Sequence, residues 1–339
     1  MPEVTLLVPA KFEPTEAVER PIRSVLRQRG VEVRKVIIAA GSRRDYERFR
    51  DRFSGEDRVE VVLAGGRVKG ETVNAALREA EIPTEWVLLL DAGDELGSRD
   101  YVRRLVSDLS RTGGNLAFGR IRYRGENLVG LMVALQFDVI GDGIRFWARS
   151  VGSAPVYTTG ALFRAEFLES EGLPENLAED VTLGLTHRWE EAGFLYRPDL
   201  EVWMDDPAGL RQNLLQQARW WAGMYQAAAA AVSARNAPGI AFSTFVLGSL
   251  ATSLVTTYLL PFLNLKILLI PLTGRLVYAL VSSHHCLKRR GPLWALIAVP
   301  AQFLWTFFLE VAALYGLLWL ALRGNVWRRT RRASEGDSA

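Results

Sequence analysis

The sequence predicts a Rossmann-like α/β domain followed by an interfacial helix and a C-terminal α-helical transmembrane region. Three observations carry this. The first half alternates short β-rich runs with amphipathic segments, the pattern of a parallel sheet with crossover helices. One apolar run, 86–90, leads straight into Asp91-Ala92-Gly93-Asp94. From Gly239 to Leu322, the only charges outside one short basic stretch are Lys266, Arg275 and Glu310.

Taken in order, 4–8 reads as the first strand and 18–26 as a helix by the spacing of its apolar residues. A strand at 36–40 ends at Gly41, a helix covers 44–53, and 59–63 is the third strand. A helix at 71–80 leads to the strand at 86–90; ligands bind beyond the carboxyl ends of such strands. A strand near 116–123 is followed by helical or loop material to 159, then a helix at 180–192 and a strand pair at 194–204. After Pro207, Leu210, Leu214, Gln217 and Trp221 fall on one helical face, which suits a membrane surface. The runs 239–263 and 265–283 each reach the length that crosses a bilayer, about 20 residues, provided that Lys266 snorkels and Arg275 faces protein or water. The run 291–322 is read as an even number of crossings, broken near Pro300 or Glu310, where Glu310 either lines an acceptor passage or is buried structurally. The expected organisation is a catalytic domain at 1–206, an interfacial region at 207–238, transmembrane helices at 239–322 and a basic tail at 323–339.

Against 38 acidic residues stand 41 basic ones, a net charge of +3 that is too weak by itself to argue for a nucleic-acid partner, and none is expected. The basic excess is local, at His284 to Arg290 and at Arg328 to Arg332, and the positive-inside bias puts both clusters and the catalytic domain in the cytoplasm of a multi-pass membrane protein. A lone Cys286 excludes an internal disulfide and any multi-cysteine metal site, and the N-terminus shows no signal-peptide pattern.

Three groups of residues have the makings of chemistry. Asp91 and Asp94, at the mouth of a buried strand, can hold a divalent cation against a diphosphate, and Mg2+ or Mn2+ suits such an all-oxygen site; a polar turn uses the same residues. Glu179-Asp180 starts a helix, where Asp180 serves either as a cap or as a base for a sugar hydroxyl. Gln216-Gln217-Ala218-Arg219-Trp220 sets amides, a guanidinium for phosphate oxygens and an indole for a sugar ring on one helix; an interfacial belt also favours Arg and Trp.

The ordered set Lys69, Asn74, Asp91, Glu179-Asp180 and Gln216-Gln217-x-Arg219-Trp220, followed by apolar spans, resembles the family 2 glycosyltransferases. More narrowly, it is similar to the membrane branch with cellulose, chitin and hyaluronan synthases and ceramide glucosyltransferase. The resemblance implies a GT-A fold, a nucleotide-sugar donor (expected to be a UDP-sugar), Mg2+ or Mn2+, and inversion by direct displacement. It makes Asp180 the base and Glu179 a residue that shapes its pocket. Glu13, Lys69, Asn74, Asp91, Gln216, Gln217 and Arg219 become donor contacts, Asp91 and Asp94 metal ligands, and Trp220 and Gly160 (of Gly160 to Arg164) acceptor contacts. Trp327-x-x-Thr330-Arg331 is similar to the family's final motif. Two positions depart from it: Ala39-Ala40 stands where an Asp commonly ends the second strand, and Gly93 breaks the Asp-x-Asp motif, leaving Asp94 one residue late. The expected activity is transfer to a membrane lipid or a growing polysaccharide. The alternatives are a processive synthase that secretes its polymer through its own helices and a non-catalytic membrane protein that binds nucleotide sugars.

Overall fold

The structure is a computed structural model and describes residues 1–259 and 265–324. The N-terminal apolar runs become the centre of a sheet: β1 (Glu3–Ala10), β2 (Glu32–Ala40), β3 (Val59–Leu63) and β4 (Trp86–Leu89) lie parallel, in the order β3-β2-β1-β4. β1 and β4 are buried on both faces, so their sequences are continuously apolar rather than alternating. The crossovers are α1 (Thr15–Leu26), α2 (Arg43–Arg52) and α3 (Lys69–Glu79). Each turns one stripe inward, as α1 does with Ala17, Val18, Pro21, Ile22 and Val25.

β4 is a seam. Beyond it β7 (Ala161–Arg164) pairs antiparallel, followed by β6 (Leu116–Tyr123), β8 (Phe194–Met204) and the short β5 (Glu95–Leu96), which makes one mixed eight-stranded sheet instead of a parallel one. The strand pair expected at 194–204 is a single strand, and the helix expected at 180–192 is two, α7 (Glu179–Thr186) and α8 (Trp189–Ala192). α4 (Tyr101–Thr112), α6 (Ala165–Glu171) and β7 escaped the sequence reading, and the irregular stretch before 159 contains α5 (Leu128–Ser150). α5 lacks a clean polar face because it packs on β6 on one side and on C-terminal helices on the other.

Those helices are α9 (Leu210–Ser233), α10 (Ala237–Leu254) with a π-helical turn at Val255–Leu259, α11 (Leu269–Arg290) and α12 (Pro292–Arg323). The expected stripe of α9 is only partly its buried face: Leu210 is exposed and Leu214 and Trp221 half-buried, while Gln217 is buried along with Ala218, Ala222, Gly223, Ala227 and Ala231. Small residues allow close approach. A Cβ on Gly223 would strike Ala178, just before α7, and one on Gly316 of α12 would strike the backbone of α9 at Ala218.

The region 291–322 is one continuous helix, not two broken near Pro300 or Glu310. Its 32 residues span about 48 Å at 1.5 Å per residue, more than a bilayer core. Among the described residues two helices are long and apolar enough to cross a membrane, 237–259 and 292–322. Only 22% and 33% of their most apolar stretches are buried, whereas the core helix of a soluble domain would be mostly covered. α11 is not one of them. Its Arg275 instead meets Glu310 at 2.7 Å inside the bundle, both side chains buried. The basic end of α11 docks on the α/β domain: Arg289 Nε lies 2.7 Å from Asp138 of α5, and Arg290 donates to the Gly125 carbonyl. The basic tail from 325 and the Trp327-x-x-Thr330-Arg331 motif lie outside the described residues.

Candidate active site

Because β1 to β4 run parallel, the segments that follow them gather at one edge of the sheet. After β1, Phe12 adopts φ +59°, a left-handed conformation that is strained for a bulky side chain, and its ring is 57% exposed. Its N–H donates to Asp45 Oδ2 at 2.8 Å, and Asp45 also accepts from Ser42 Oγ (2.6 Å) and Arg48 (2.7 Å). Glu13 is buried here, its carbonyl accepting from Arg48. Neither Phe12 nor Asp45 stood out in the sequence.

The turn after β4 separates the two aspartates. Gly93 sits at φ +86°, which costs a glycine little and an aspartate more. The chain then folds back so that Asp94 is fully buried and its Oδ2 accepts from Thr159 Oγ1 at 2.7 Å. Thr159 Oγ1 in turn accepts the Asp91 N–H at 3.1 Å, so one threonine holds the turn. Asp91 faces outward. Together with Lys69, Glu179, Asp180, Gln216, Gln217, Arg219 and Trp220 it lines a single cleft of about 450 Å³.

Besides Asp91, which follows β4, these residues come from three distant segments. Lys69 opens α3, Glu179 and Asp180 open α7, and the rest lie on α9. Asn74 clamps the loop before α7, accepting from Leu173 N–H (2.7 Å) and donating to its carbonyl (2.9 Å). Arg219 donates to the Leu177 carbonyl at 3.1 Å, and Gln226 accepts the Leu177 N–H at 3.0 Å. With Gly223 against Ala178, these bonds set the start of α7 beside α9.

Some expected contacts are placed differently. Asn74, Glu13 and Asp94 are not among the residues lining this cleft. Nor is Gly160, whose N–H donates to Leu89 and whose carbonyl accepts from Tyr101 at the β4–β7 seam; the neighbouring Thr158 and Thr159 line the cleft instead. Arg164 pairs with Glu85 at the far end of β4. Gln217 exchanges amide hydrogen bonds with Gln136 of α5 (3.0 and 3.2 Å), and Gln136 also accepts from Trp305 of α12. Trp220 packs edge-on against Phe137, ring centres 5.3 Å apart.

Lys69 is the centre of charge. Its Nζ lies 2.7 Å from Asp91 Oδ1, 3.1 Å from Glu179 Oε1 and 2.9 Å from Thr158 Oγ1. Burial works against the ammonium, but Asp91 and Glu179 outweigh it and hold Lys69 above its ordinary pKa. Burial likewise opposes the Glu179 charge, and Lys69 more than offsets it, keeping Glu179 below the usual carboxylate range. Asp180 goes the other way. Burial and then the neighbouring Glu179 carboxylate push it up to about 7. Gln216 Oε1 and Arg219 Nε are buried with no hydrogen-bond partner, the condition of atoms that await a ligand.

A cation shared by Asp91 and Asp94 does not fit this geometry, since Asp94 is turned inward to Thr159 and Asp91 already meets an ammonium. Among the described residues no group of three or more His, Cys, Asp or Glu side chains could hold a metal ion. Of the expected pair, Asp91 is the one that lines the cleft.

Comparison with known proteins agrees with this architecture. The model of the family described as glycosyltransferase like family 2 matches residues 2–223. A mannosyltransferase from Pyrobaculum calidifontis, PcManGT, solved with GDP-Man and Mn2+, is similar over 94% of this chain and 87% of its own, with a TM-score of 0.58 and 18% identity. At that identity the likeness extends to the fold. TarS of S. aureus, residues 1–349, is similar over 98% of this chain and 97% of its own, with a TM-score of 0.47 and 12% identity. No curated protein matches the sequence.

Proposed function

The chain belongs to glycosyltransferase family 2, and we propose that it moves a sugar from a nucleotide-sugar donor, with inversion at the anomeric carbon, to a hydroxyl presented at a membrane surface. One observation carries the reading: Asp180, Trp220 and Asp91, remote in sequence, line the same cleft.

The nucleoside lies along the edge formed by Phe12 and Glu13, where the exposed ring offers a stacking face. A UDP-sugar is the expected donor. Its diphosphate reaches Lys69 and Arg219, whose cations stabilise the charge that builds on the leaving group, and the unpartnered Gln216 Oε1 accepts from a donor hydroxyl. The acceptor sugar or headgroup stacks on Trp220. Asp180 takes the proton of the acceptor hydroxyl as its oxygen bonds to the anomeric carbon. The bond from that carbon to the diphosphate oxygen breaks, and its electron pair leaves with the nucleoside diphosphate. A base near pKa 7 suits this task at neutral pH; burial raises it first, Glu179 raises it further and Lys69 holds it back.

The P. calidifontis mannosyltransferase was solved with Mn2+ beside GDP-Man. In the present chain Mg2+ or Mn2+ would rest on Asp91 and donor oxygens, neutralising the diphosphate; the positive charge that the steps above require comes from Lys69 and Arg219.

The helices 237–259 and 292–322 anchor the enzyme in the bilayer, with apolar side chains such as Leu296, Leu304 and Leu322 facing outward. The basic end of α11 is tied to α5 of the catalytic domain, so both lie on one side, which the positive-inside bias makes cytoplasmic. The test is donor consumption. Purified protein incubated with UDP- and GDP-sugars should release nucleotide and Asp180→Asn should not; a variant as fast as the parent removes Asp180 from the base role.

A further inference from the structure

The cleft has two ends of opposite character. Lys69, Asp91, Glu179 and Asp180 form the polar one. The same cavity has an apolar arm, lined by Phe137 of α5, against which Trp220 packs, with Ile140 of α5, Phe242 and Val246 of α10, Tyr278 of α11 and Leu309 of α12. Two of these four helices, α10 and α12, are the ones apolar enough to cross a membrane.

We propose that the apolar arm seats the hydrocarbon chain of a lipid acceptor, whose hydroxyl or sugar headgroup then lies at Asp180 and Trp220. The inference rests on the glycosyltransferase reading above and adds the acceptor's class. Three features choose a lipid over a growing polysaccharide. A glycan passage needs hydrogen-bond partners along its length, whereas the arm residues named above are aliphatic and aromatic apart from the Tyr278 hydroxyl, and the Gln136 and Gln217 amides that also line the cleft are bonded to each other. The charged pair that would otherwise make the bundle polar, Arg275 and Glu310, is closed on itself and on Ser253, Thr257, Tyr258 and Thr306, and so presents no polar track. The arm is also built in part on α10 and α12, whose outer faces carry exposed apolar side chains, so a hydrocarbon chain seated there lies among the helices apolar enough to meet lipid.

The experiment uses the full-length protein in detergent with a radiolabelled nucleotide sugar that it consumes. Two acceptor sets are compared, alkyl glycosides of increasing chain length and water-soluble oligosaccharides. The proposal expects one sugar added to the alkyl glycosides, with KM falling about threefold to fourfold per added CH2 until the arm is full. Val246→Trp and Leu309→Trp, which fill the arm, should raise that KM at least tenfold while nucleotide-induced thermal stabilisation stays at the parent value, which also shows that the variants fold. Should either variant not fold, the chain-length series in the parent stands as the test by itself. A polymer ladder on oligosaccharides, or a KM indifferent to chain length and to both tryptophans, overturns the lipid seat but leaves glycosyl transfer intact. Failure of the underlying reading looks different, since no acceptor then takes label and Asp180→Asn changes nothing.

Discussion

Two buried charge clusters, some distance apart in the chain, are built on opposite principles. In the helical bundle Arg275 faces Glu310 one to one, and hydroxyls of Ser253, Thr257, Tyr258 and Thr306 take up most of the remaining valences, with the guanidinium over the Phe307 ring. In the cleft Lys69 faces three carboxylates, Asp91, Glu179 and Asp180, and polar atoms of Gln216 and Arg219 have no partner. A cluster of matched charges, closed except at the buried Arg275 Nε, stabilises a packing arrangement. One with more carboxylates than cations, opening on a cavity, keeps charge in reserve for a ligand, and burial together with the Glu179 carboxylate raises the pKa of Asp180 within it.

The comparison can be broken at four points. Asp180→Asn should lower turnover by about 10²- to 10⁴-fold, the usual worth of a general base, with donor-induced stabilisation retained; steady-state nucleotide release measures it. Glu310→Ala leaves a buried guanidinium without its counter-charge and should cost about 3–5 kcal/mol of stability, whereas replacing both partners by apolar residues should cost much less. Thermal or denaturant unfolding in detergent separates the two, and equal costs would mean that the cluster is not a closed pair. Lys69→Met should reduce kcat by about 10²-fold through lost stabilisation of the leaving group, and chelation of divalent cations should cost less than that. A larger effect of chelation would shift the charge to a metal on Asp91.

The smallest effect is the most specific. Asp180 must be ionised to act, so activity is present above its pKa and is lost as pH falls through about 7. Glu179→Gln removes a neighbouring negative charge and should move the midpoint of the pH profile of kcat/KM down; Lys69→Met removes a positive one and should move it up. Midpoints that stay together would dissociate the cluster from catalysis.

Legibility followed the range of the interactions. β1 to β4 and α1 to α3 were readable because period and burial are local: apolar runs of strand length, separated by amphipathic helices, admit one arrangement. β7 was missed because four residues, Ala161–Arg164, hold no pattern of their own and become a strand only by pairing with β4. α5 was missed because partners on both sides erase its amphipathicity. In the site, Asp91, Glu179-Asp180 and Gln216 to Trp220 were legible as motifs, while Thr158, Thr159, Gln136 and Phe12 were not. A threonine that bridges a turn, or an amide paired across 81 positions as Gln136 is with Gln217, has no signature in its neighbours along the chain.

What the sequence determined by itself was the family, the α/β order of the first domain and the apolar character of the end, because each depends on residue types at short spacing. Only the tertiary structure decided which aspartate faces the cleft, that Lys69 stands between Asp91 and Glu179, and that 292–322 continues as one helix. The reason is the same in each case. A backbone angle at Gly93, a glycine that lets α9 approach Ala178, and a counter-charge for Glu310 on another helix are properties of pairs in space, and pairs far apart in sequence are fixed only when the chain has folded.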